Sequence, residues 1–406
     1  MRGAACGALI AMLCGPVAAC RAADAQLQPS AVLRVDHLRG ATGATADLQI
    51  EPAWGERASG KALLRLTRPR LGQAQGGDGA IEADVIEAFA LWHGEHVDAK
   101  LGKQIVAWGR ADGVNPTDNL TPRNFRVQSP YEKDQREGVA ALLVNYFPAP
   151  QDTVSLFLSP TFRPSRLPLP DTGELVFEDR QPDRGRWPLG LKFDRRGDKL
   201  DWSLSYFRGY QLAPEWQAGS GPGGVILHYP KIRVFGADAA VNLGRYGWRG
   251  ELARVLRDDP AQPGGAHANW TLVTGLDRNF DEDLNVNVQL IVQQNGNLDD
   301  VAGIVDGQRR AVARVNAISF HQERERKFGA TMRIGKKWLN GTLEAELLAY
   351  GYFQPRTSYW RPLLAYALRD DLRLSVGGEL FVGRPASYFG SNRSLRGMFV
   401  ELRYFH

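Results

Sequence analysis

A two-residue alternation of apolar and polar side chains recurs along the chain. Residues 284–293 (LNVNVQLIVQ) place leucine or valine at every second position and amides at most positions between. Successive side chains of a strand point to opposite faces, so this period predicts strands with one apolar and one wet face. The same alternation recurs in residues 153–162, 200–206, 327–337, 342–350, 372–382 and 396–406.

The connections between these strands alternate in length, as in barrels with short periplasmic turns and long extracellular loops. We therefore predict an all-β fold, a transmembrane antiparallel β-barrel of about 18 strands. Residues 30–68 are weakly patterned, and residues 313–326 predict a short helix in a surface loop. Short turns are predicted at residues 93–95, 148–150, 196–198, 244–247, 281–283, 340–341 and 370–371, and long loops near 69–80, 108–136, 163–186, 210–228, 257–267, 295–325 and 384–395.

The first residues have the pattern of a secretory signal peptide. Arg2 precedes a run of small apolar residues that is too short for a membrane helix, and Ala23-Asp24-Ala25 is a small-x-small cleavage site. We predict a signal peptide at residues 1–25 and a barrel at residues 26–406. Residues 17–20 (VAAC) also resemble a lipobox, so lipidation of Cys20 stays open. All 3 cysteines precede residue 21, so ordinary cleavage leaves no disulfide to form.

The last strand and the aromatic residues support export to the outer membrane. Residues 396–406 alternate and end near Phe405 and His406, which resembles the C-terminal signature read by the barrel-assembly machinery. His406 departs from the usual terminal phenylalanine. Aromatic residues make up 10% of the chain and lie near many strand ends, where rings form girdles at headgroup depth.

The most distinctive segment is residues 101–125, LGKQIVAWGRADGVNPTDNLTPRNF. It begins as a strand and continues into a loop rich in turn formers and in charges of both signs. It resembles the Gly-Lys-Gln and Trp-Gly strand, followed by an Asn-Pro-x-Asp loop, of porin-like families related to alginate-export channels. The resemblance implies a barrel of about 18 strands whose loop folds into the lumen, and the alternative is a surface loop without a transport role. The lumen or constriction candidates here are Arg110, Asp112, Asn115, Asp118, Arg123 and Arg126.

Charges predicted to face the lumen are nearly balanced in sign. Lys327, Arg333 and Lys337 form a basic ladder on one strand, and Arg373 is a further candidate. Rings of one sign set selectivity, so the ladder favours anions modestly. The alternative is that opposite charges pair across neighbouring strands and stabilise the wall. The full set is Lys61, Arg65, Lys192, Arg249, Arg403, Asp201, Glu251, Asp277, Glu344, Glu346, Glu379 and Glu401, besides the ladder and Arg373.

Enzyme and nucleic-acid functions have little support. The 7 histidines form no metal-binding spacing, and the chain has no Gly-x-Ser-x-Gly motif. His228, His267 and His321 leave an outer-membrane hydrolase as the weaker alternative. The net charge of +5 is spread along an exported chain, which does not indicate nucleic acid. The basic, proline-rich residues 163–186 are either a solvated loop or a site for acidic lipopolysaccharide groups.

The expected function is passive passage of hydrophilic solutes, anions among them, or export of a polysaccharide, through an outer-membrane channel that needs no cofactor or metal. The expected partners are outer-membrane lipid, lipopolysaccharide, the barrel-assembly machinery and the solute. A non-conducting barrel with a surface or assembly role is the alternative. The solute, the direction of transport and the oligomeric state stay open.

Overall fold

The computed structural model describes residues 25–38, 41–68, 81–127, 129–169, 174–182, 187–259, 264–280 and 283–405. The predicted signal peptide, apart from Ala25, and the terminal His406 lie outside these residues. Eighteen antiparallel strands form one closed sheet, so the predicted strand number is confirmed. Its strands are β1 (Ala25–Leu38), β2 (Ala41–Trp54), β3 (Ala58–Arg68), β4 (Glu82–His93), β5 (Val97–Gln104), β6 (Val139–Ala149), β7 (Asp152–Leu158), β9 (Leu189–Arg196), β10 (Leu200–Tyr210), β13 (Lys231–Leu243), β14 (Tyr246–Arg257), β15 (Asn269–Phe280), β16 (Leu284–Asn295), β17 (Arg326–Trp338), β18 (Leu343–Phe353), β19 (Arg356–Arg369), β20 (Leu372–Gly383) and β21 (Gly397–Phe405).

The barrel closes where its first and last strands meet. β1 pairs antiparallel with β21, from Val32 opposite Phe405 to Leu38 opposite Phe399, and pairs with β2 on its other side. Each remaining strand pairs with its neighbours in the closed ring. Closure gives the strands partners on both edges, which is the condition for a sheet to span lipid. The weakly patterned residues 30–68 supply β1, β2 and β3.

The connections alternate as predicted. The end of the barrel that holds Ala25 and Phe405 has short turns, and the long loops join strands at the opposite end. We call the long-loop end extracellular, following the asymmetry of bacterial barrels. Two connections at this end are short and were not predicted: from Leu38 of β1 to Ala41 of β2, and from Phe353 of β18 to Arg356 of β19. In β18, tyrosine and glycine interrupt the apolar alternation, so the sequence pattern does not show where that strand stops.

The two faces of the wall differ as the alternation predicts. In β16, Val288 and Leu290 are exposed on the outside, whereas Asn287 and Gln289 are buried on the inside. Large apolar residues exposed on the outside recur on most strands and form an oily belt. Examples are Leu48, Val85, Leu101, Val154, Leu191, Leu204, Phe235, Leu252, Leu272, Phe328, Leu364, Val376 and Val400.

Smaller elements lie in the extracellular loops. A three-stranded sheet of β8 (Val176–Arg180), β11 (Glu215–Ala218) and β12 (Gly224–His228) contacts helix α1 (Gly307–Ser319). The predicted loop helix exists but begins six residues earlier than expected. It begins there because Asp306 caps it, its carboxylate accepting from the backbone N–H of Arg309 at 2.7 Å. Among the described residues, no helix has the length and hydropathy needed to cross a bilayer.

Candidate functional site: the lumen and its inner loop

The segment between β5 and β6, residues 105–138, folds into the barrel; we call it the inner loop. Its residues contact inward-facing side chains of β9, β13, β14, β16, β17, β18, β21, β1 and β3. A loop lying on the outer surface does not reach side chains on so many strands around the ring. The inner loop therefore crosses the lumen, as the sequence resemblance implies.

Apolar packing holds the first half of the inner loop. Val106, Trp108 and Leu120 are buried against inward-facing residues of the barrel wall. Burial of these three apolar side chains away from water is the main favourable contribution to the free energy of holding the loop in the lumen. The wall is therefore not uniformly polar inside: between β6 and β14 it carries an apolar patch consisting of Val139, Ala141, Phe157, Phe207, Ile232, Val234 and Ala253.

Glu251 on β14 is the main polar anchor beside this patch. Its side chain is 1% exposed and accepts hydrogen bonds from the backbone N–H groups of Arg110 (3.1 Å), Ala111 (3.0 Å) and Thr117 (2.7 Å). The Thr117 hydroxyl donates a fourth bond at 2.8 Å. These four donors replace the water molecules that the Glu251 carboxylate lost on burial. The hydrogen bonds therefore hold the backbone of residues 110–117 in place.

Arg110 ties the inner loop to two further strands. Its guanidinium donates to Asp194 on β9 at 3.0 Å and forms an ion pair with Asp238 on β13. Asp238 also accepts from Ser203 on β10. Arg110 therefore compensates two carboxylates that alternation along β9 and β13 directs into the lumen. The guanidinium is 19% exposed, so it also faces the open lumen.

Two glycines permit the close approach of the inner loop to the wall. Gly109 and Gly113 have φ values of +95° and +84°, a region that side chains rarely adopt. A Cβ at Gly109 would collide with Asn115 and Glu251, and one at Gly113 would lie 2.5 Å from the Tyr350 hydroxyl. This explains why the Trp-Gly and Ala-Asp-Gly sequence occurs where the strand continues into the lumen.

The opposite side of the lumen contacts the inner loop through polar groups. The backbone N–H of Asp112 donates to Gln289 on β16 at 3.1 Å, and the Asp112 carboxylate lies 3.5 Å from Arg333 on β17. The Tyr350 hydroxyl on β18 donates to Glu132 at 3.0 Å. Asp112 and Glu132 are each about one-third exposed, so the acidic edge of the loop faces a wet passage beside Arg333.

Asp134 joins the inner loop to the seam of the barrel. Its carboxylate lies 3.1 Å from Arg34 on β1 and 2.6 Å from Arg403 on β21, and Ser129 also donates to it. Arg65 on β3 donates to its backbone oxygen at 2.5 Å. Burial alone would raise the pKa of Asp134, but Arg403 and Arg34 outweigh it and hold that pKa below the ordinary value.

The remaining loop candidates lie in different surroundings. Asp118 is almost fully buried and pairs with Arg136 at 2.8 Å and Arg123 at 3.4 Å, which ties the middle of the loop to its last residues. The Asn115 side chain accepts from Thr117 at 3.4 Å inside the loop. Arg126 is exposed and donates to the backbone oxygen of Leu167, in the next extracellular loop. Arg126 therefore lies at the outer entrance, away from the narrow part.

The predicted basic ladder is divided by the fold. Lys327 has no exposed side-chain surface because it pairs with Glu323 at 2.5 Å and contacts His321 beneath the segment after α1. Arg333 and Arg373 are each 31% exposed, and Lys337 is exposed towards the short-turn end. Lys327 is thus shielded from a passing solute, whereas the other three line the accessible lumen.

Many charged side chains of the wall form ion pairs with each other. This agrees with the alternative that opposite charges pair and stabilise the wall. Arg65 pairs with Asp47 at 2.7 Å, Lys61 with Glu87 at 2.8 Å, and Arg249 with Asp277 at 3.4 Å. Further pairs join Arg361 to Glu346 at 3.3 Å, Arg403 to Glu401 at 3.1 Å, and Arg373 to Glu344. Four of these six pairs link neighbouring strands, Arg373 and Glu344 lie on β20 and β18 with β19 between them, and Arg403 and Glu401 both lie on β21. Much of the inward charge therefore stabilises the wall.

Sequence reasoning missed several residues that hold the site together. Trp108, one of the aromatic residues near strand ends that were expected to form the girdle, is instead buried inside the lumen. Sequence reasoning did not select Asp134, Glu132 or Tyr350. Asp134 pairs with Arg403 and Glu132 with Tyr350, each across more than 100 residues, so no motif of fixed spacing marks these pairs. A signal did exist for the apolar patch: Phe157, Phe207 and Val234 occupy the inward positions of their strands, where the pattern otherwise has polar residues.

The histidines do not support a hydrolase arrangement. His228 lies 3.1 Å from Asp259, His267 lies 2.8 Å from Asp299, and His321 contacts Tyr352 and Lys327. Among the described residues, none of the three hydrogen-bonds to a serine hydroxyl, which a serine nucleophile requires. Within the same ranges, no group of three metal-ligating side chains is close enough to hold an ion.

Comparison with solved structures agrees with the architecture. The outer membrane protein OpdK from Pseudomonas aeruginosa superimposes with a TM-score of 0.58, at 9% identity over 94% of this chain and 99% of that one. OpdK with vanillate matches with a TM-score of 0.56, at 9% identity over 94% and 98%. Acinetobacter baumannii OccAB1 matches with a TM-score of 0.55, at 9% identity over 94% and 96%.

These structural similarities establish the fold alone. At 9% sequence identity, the roles of individual residues cannot be transferred from those proteins to this chain. The predicted porin-like barrel is confirmed, whereas the finer resemblance to alginate-export channels stays a prediction. No protein-family model matches the chain, and no curated protein matches it. An eighteen-stranded barrel with an oily outer belt is the architecture of the bacterial outer membrane, which agrees with the predicted location.

Proposed function

We propose that this protein is a passive channel of the outer membrane for small hydrophilic solutes, with a preference for carboxylates. The observation that carries the proposal is the inner loop, which crosses the lumen and is held there on both sides. A loop inside a barrel narrows the passage to the scale of a small molecule. Selection then depends on the width left open and on the charges that line it.

The two edges of the passage carry opposite charge. The loop edge presents Asp112 and Glu132, and the wall presents Arg333 and, towards the short-turn end, Arg373. Both guanidiniums are paired, Arg333 with Asp112 and Arg373 with Glu344, yet each side chain stays 31% exposed to a solute. Guanidinium groups bind carboxylates through two parallel hydrogen bonds, which favours planar anions over cations of the same size. A solute with an anionic end and a neutral body fits both edges. No cofactor enters this mechanism.

The solved structure of OpdK with vanillate supports the choice of carboxylates, because vanillate is a carboxylate and that protein has the same fold. The chemistry is shared, whereas the binding residues cannot be transferred at 9% identity. No contact of the described residues favours a polysaccharide over a small solute, so we do not propose polymer export.

We further propose that the barrel-assembly machinery inserts the chain into the membrane, because the last strand β21 alternates apolar and polar side chains and ends near an aromatic residue.

Planar-bilayer recording of the purified, folded protein tests the proposal. We expect discrete conductance steps, a reversal potential in a salt gradient that shows anion preference, and transient block by added vanillate. Arg333→Gln should reduce both the anion preference and the block. Arg369→Gln, at the short-turn end of β19 where the side chain is 67% exposed, is the matched control and should change neither. A folded protein that never conducts would overturn the channel function and favour the non-conducting alternative.

A further inference from the structure

A cluster of cations lies on the outside of the barrel at the extracellular ends of β10 and β13. Arg208, Lys231 and Arg233 share the outward parity of Leu204 and Phe235, whereas Ser203, Phe207 and Val234 point inward and are buried. These cations therefore face the lipid side of the wall, outside the proposed solute passage. Charged groups are expensive on that face at the bilayer centre and are tolerated only near its edges.

The depth of the cluster is defined by the residues below it. Tyr206 and Phe235 lie opposite each other in register, with ring centroids 5.1 Å apart, and Leu204 lies one step deeper. Aromatic rings mark headgroup depth in such barrels. Arg208 and Arg233 are the next outward pair along the same two strands. The cations therefore begin where acyl chains end and phosphates begin.

The arrangement of charge is unfavourable without an anion. Arg208 and Arg233 are directly opposite across the ladder, and like charges at such positions destabilise a sheet. Asp258 compensates Arg233 at 2.6 Å. Among the described residues, no carboxylate lies within 4 Å of the charged ends of Arg208 and Lys231. Within the part of the chain that the structure describes, Asp258 is thus the one carboxylate that pairs with the side chain of any of these three cations, and Asp259 hydrogen-bonds to these residues only through the backbone N–H of Lys231 at 3.1 Å.

A cleft is present at the same place. Arg208, Lys231, Asp258 and the half-exposed Trp187 line a cavity of about 250 Å³. Such a volume accommodates a phosphate together with part of the sugar that carries it. The indole of Trp187 supplies an apolar part of the cleft wall. On β14, the next strand, Arg254 stacks over Trp270 at 5.1 Å and extends the basic belt.

We propose that this cleft binds a phosphate of the lipid A headgroup of lipopolysaccharide, the lipid of the outer leaflet. Arg208 and Lys231 contact the phosphate, Trp187 contacts the sugar, and Leu204 with the Tyr206–Phe235 pair contacts the acyl chains. This site differs from the one first expected in residues 163–186: it lies on the strands β10 and β13, and only Trp187 adjoins that loop. The bound lipid relieves the repulsion between Arg208 and Arg233.

Titration of the detergent-solubilised full chain with bisphosphorylated lipid A, followed by native mass spectrometry, tests the site. Each cation near a charged membrane surface contributes about fivefold in affinity, so the double variant Arg208→Ala/Lys231→Ala should bind roughly thirtyfold more weakly. The control Arg196→Ala/Lys199→Ala removes the same charge from the short turn between β9 and β10 and should bind like the wild type. The single variant Lys231→Gln should weaken binding about fivefold. It replaces the double variant in the test if the double variant does not fold.

Two further arms identify the source of the phosphate. Lipid A without phosphates should bind the wild type as weakly as bisphosphorylated lipid A binds the double variant. Inorganic phosphate at millimolar concentration should displace little lipid, since it lacks the sugar and acyl contacts. The proposal is wrong if both double variants lose the same affinity, if dephosphorylated lipid A binds equally well, or if inorganic phosphate displaces the lipid completely. Conductance should be unchanged in every variant, which separates this site from the channel function.

Discussion

The two sides of the lumen hold the inner loop by different physical means. From β6 to β14 the wall is apolar inside and buries Trp108 and Leu120, with Glu251 fixing the backbone beside them. From β16 to β18 the contacts are an ion pair and single hydrogen bonds through partly exposed groups, and at the seam Asp134 forms buried ion pairs with Arg34 and Arg403. The difference indicates that the apolar side and the seam position the loop, and that the wall from β16 to β18 borders the passage.

Removing the apolar anchor should have the largest effect. Trp108→Ala deletes a buried indole, and such substitutions cost about 3–5 kcal/mol. We expect a lower unfolding temperature, followed by the heat-dependent shift in gel mobility, and larger, noisier conductance steps. Trp92→Ala, on the lipid-facing side, is the control and should leave conductance unchanged. Unchanged conductance in Trp108→Ala would mean that packing does not hold the loop in the passage.

The seam contact of Asp134 should rank second. Asp134→Asn removes a carboxylate shared by Arg34 and Arg403, and hydrogen bonds to charged groups contribute about 1.5–3 kcal/mol. Denaturant unfolding at neutral pH measures this loss of stability. Asp371→Asn, in an exposed turn, is the control and should unfold like the wild type.

The same residue predicts a pH dependence. The folded pKa of Asp134 lies below the ordinary value of 3.8, so its stabilisation is complete above that value and disappears as the pH falls through the lower, folded pKa. Unfolding measured across this acid range should show a steeper loss for the wild type than for Asp134→Asn. Identical acid profiles would show that the carboxylate contributes nothing at the seam.

Arg110 tests whether the anchored side also affects selectivity. Arg110→Ala leaves Asp238 without its cation beside the passage, whereas Asp194 keeps its ion pair with Lys192 at 3.1 Å. Two unit charges 4 Å apart in water interact by about 1 kcal/mol. Loss of the Arg110 charge should therefore lower the anion-to-cation permeability ratio by up to roughly fivefold. Reversal potentials in a salt gradient measure it. A ratio equal to that of the wild type would leave Arg110 as a purely structural residue.

Arg126 should give the smallest effect. It contacts only a neighbouring extracellular loop among the described residues, and surface substitutions of this kind usually change stability by less than about 0.5 kcal/mol. Arg126→Ala should therefore retain both the wild-type permeability ratio and the unfolding temperature. A shift as large as that of Arg110→Ala would mean that the outer entrance, rather than the inner passage, selects the solute.

Much of the fold could be predicted because alternation is a local property. The amide face of residues 284–293 and the short turn at Asn340-Gly341 needed only neighbouring residues to be recognised. The candidate site was less predictable. Residues 110–118 were selected correctly as a loop near the lumen, but Lys327 was grouped with Arg333 on parity alone. Parity does not show that Glu323 and the segment after α1 cover Lys327.

The sequence by itself determined the strands, the alternation of long and short connections, and the outer and inner faces, because each depends on residues close together in the chain. Only the tertiary structure decided which charges are buried, which pair, and where the inner loop lies. Glu251 and Thr117, or Asp134 and Arg403, are more than 100 residues apart and meet only when the ring closes. Pairing of β10 with β13 likewise places Arg208 opposite Arg233 and so brings strand residues together as a cationic cluster.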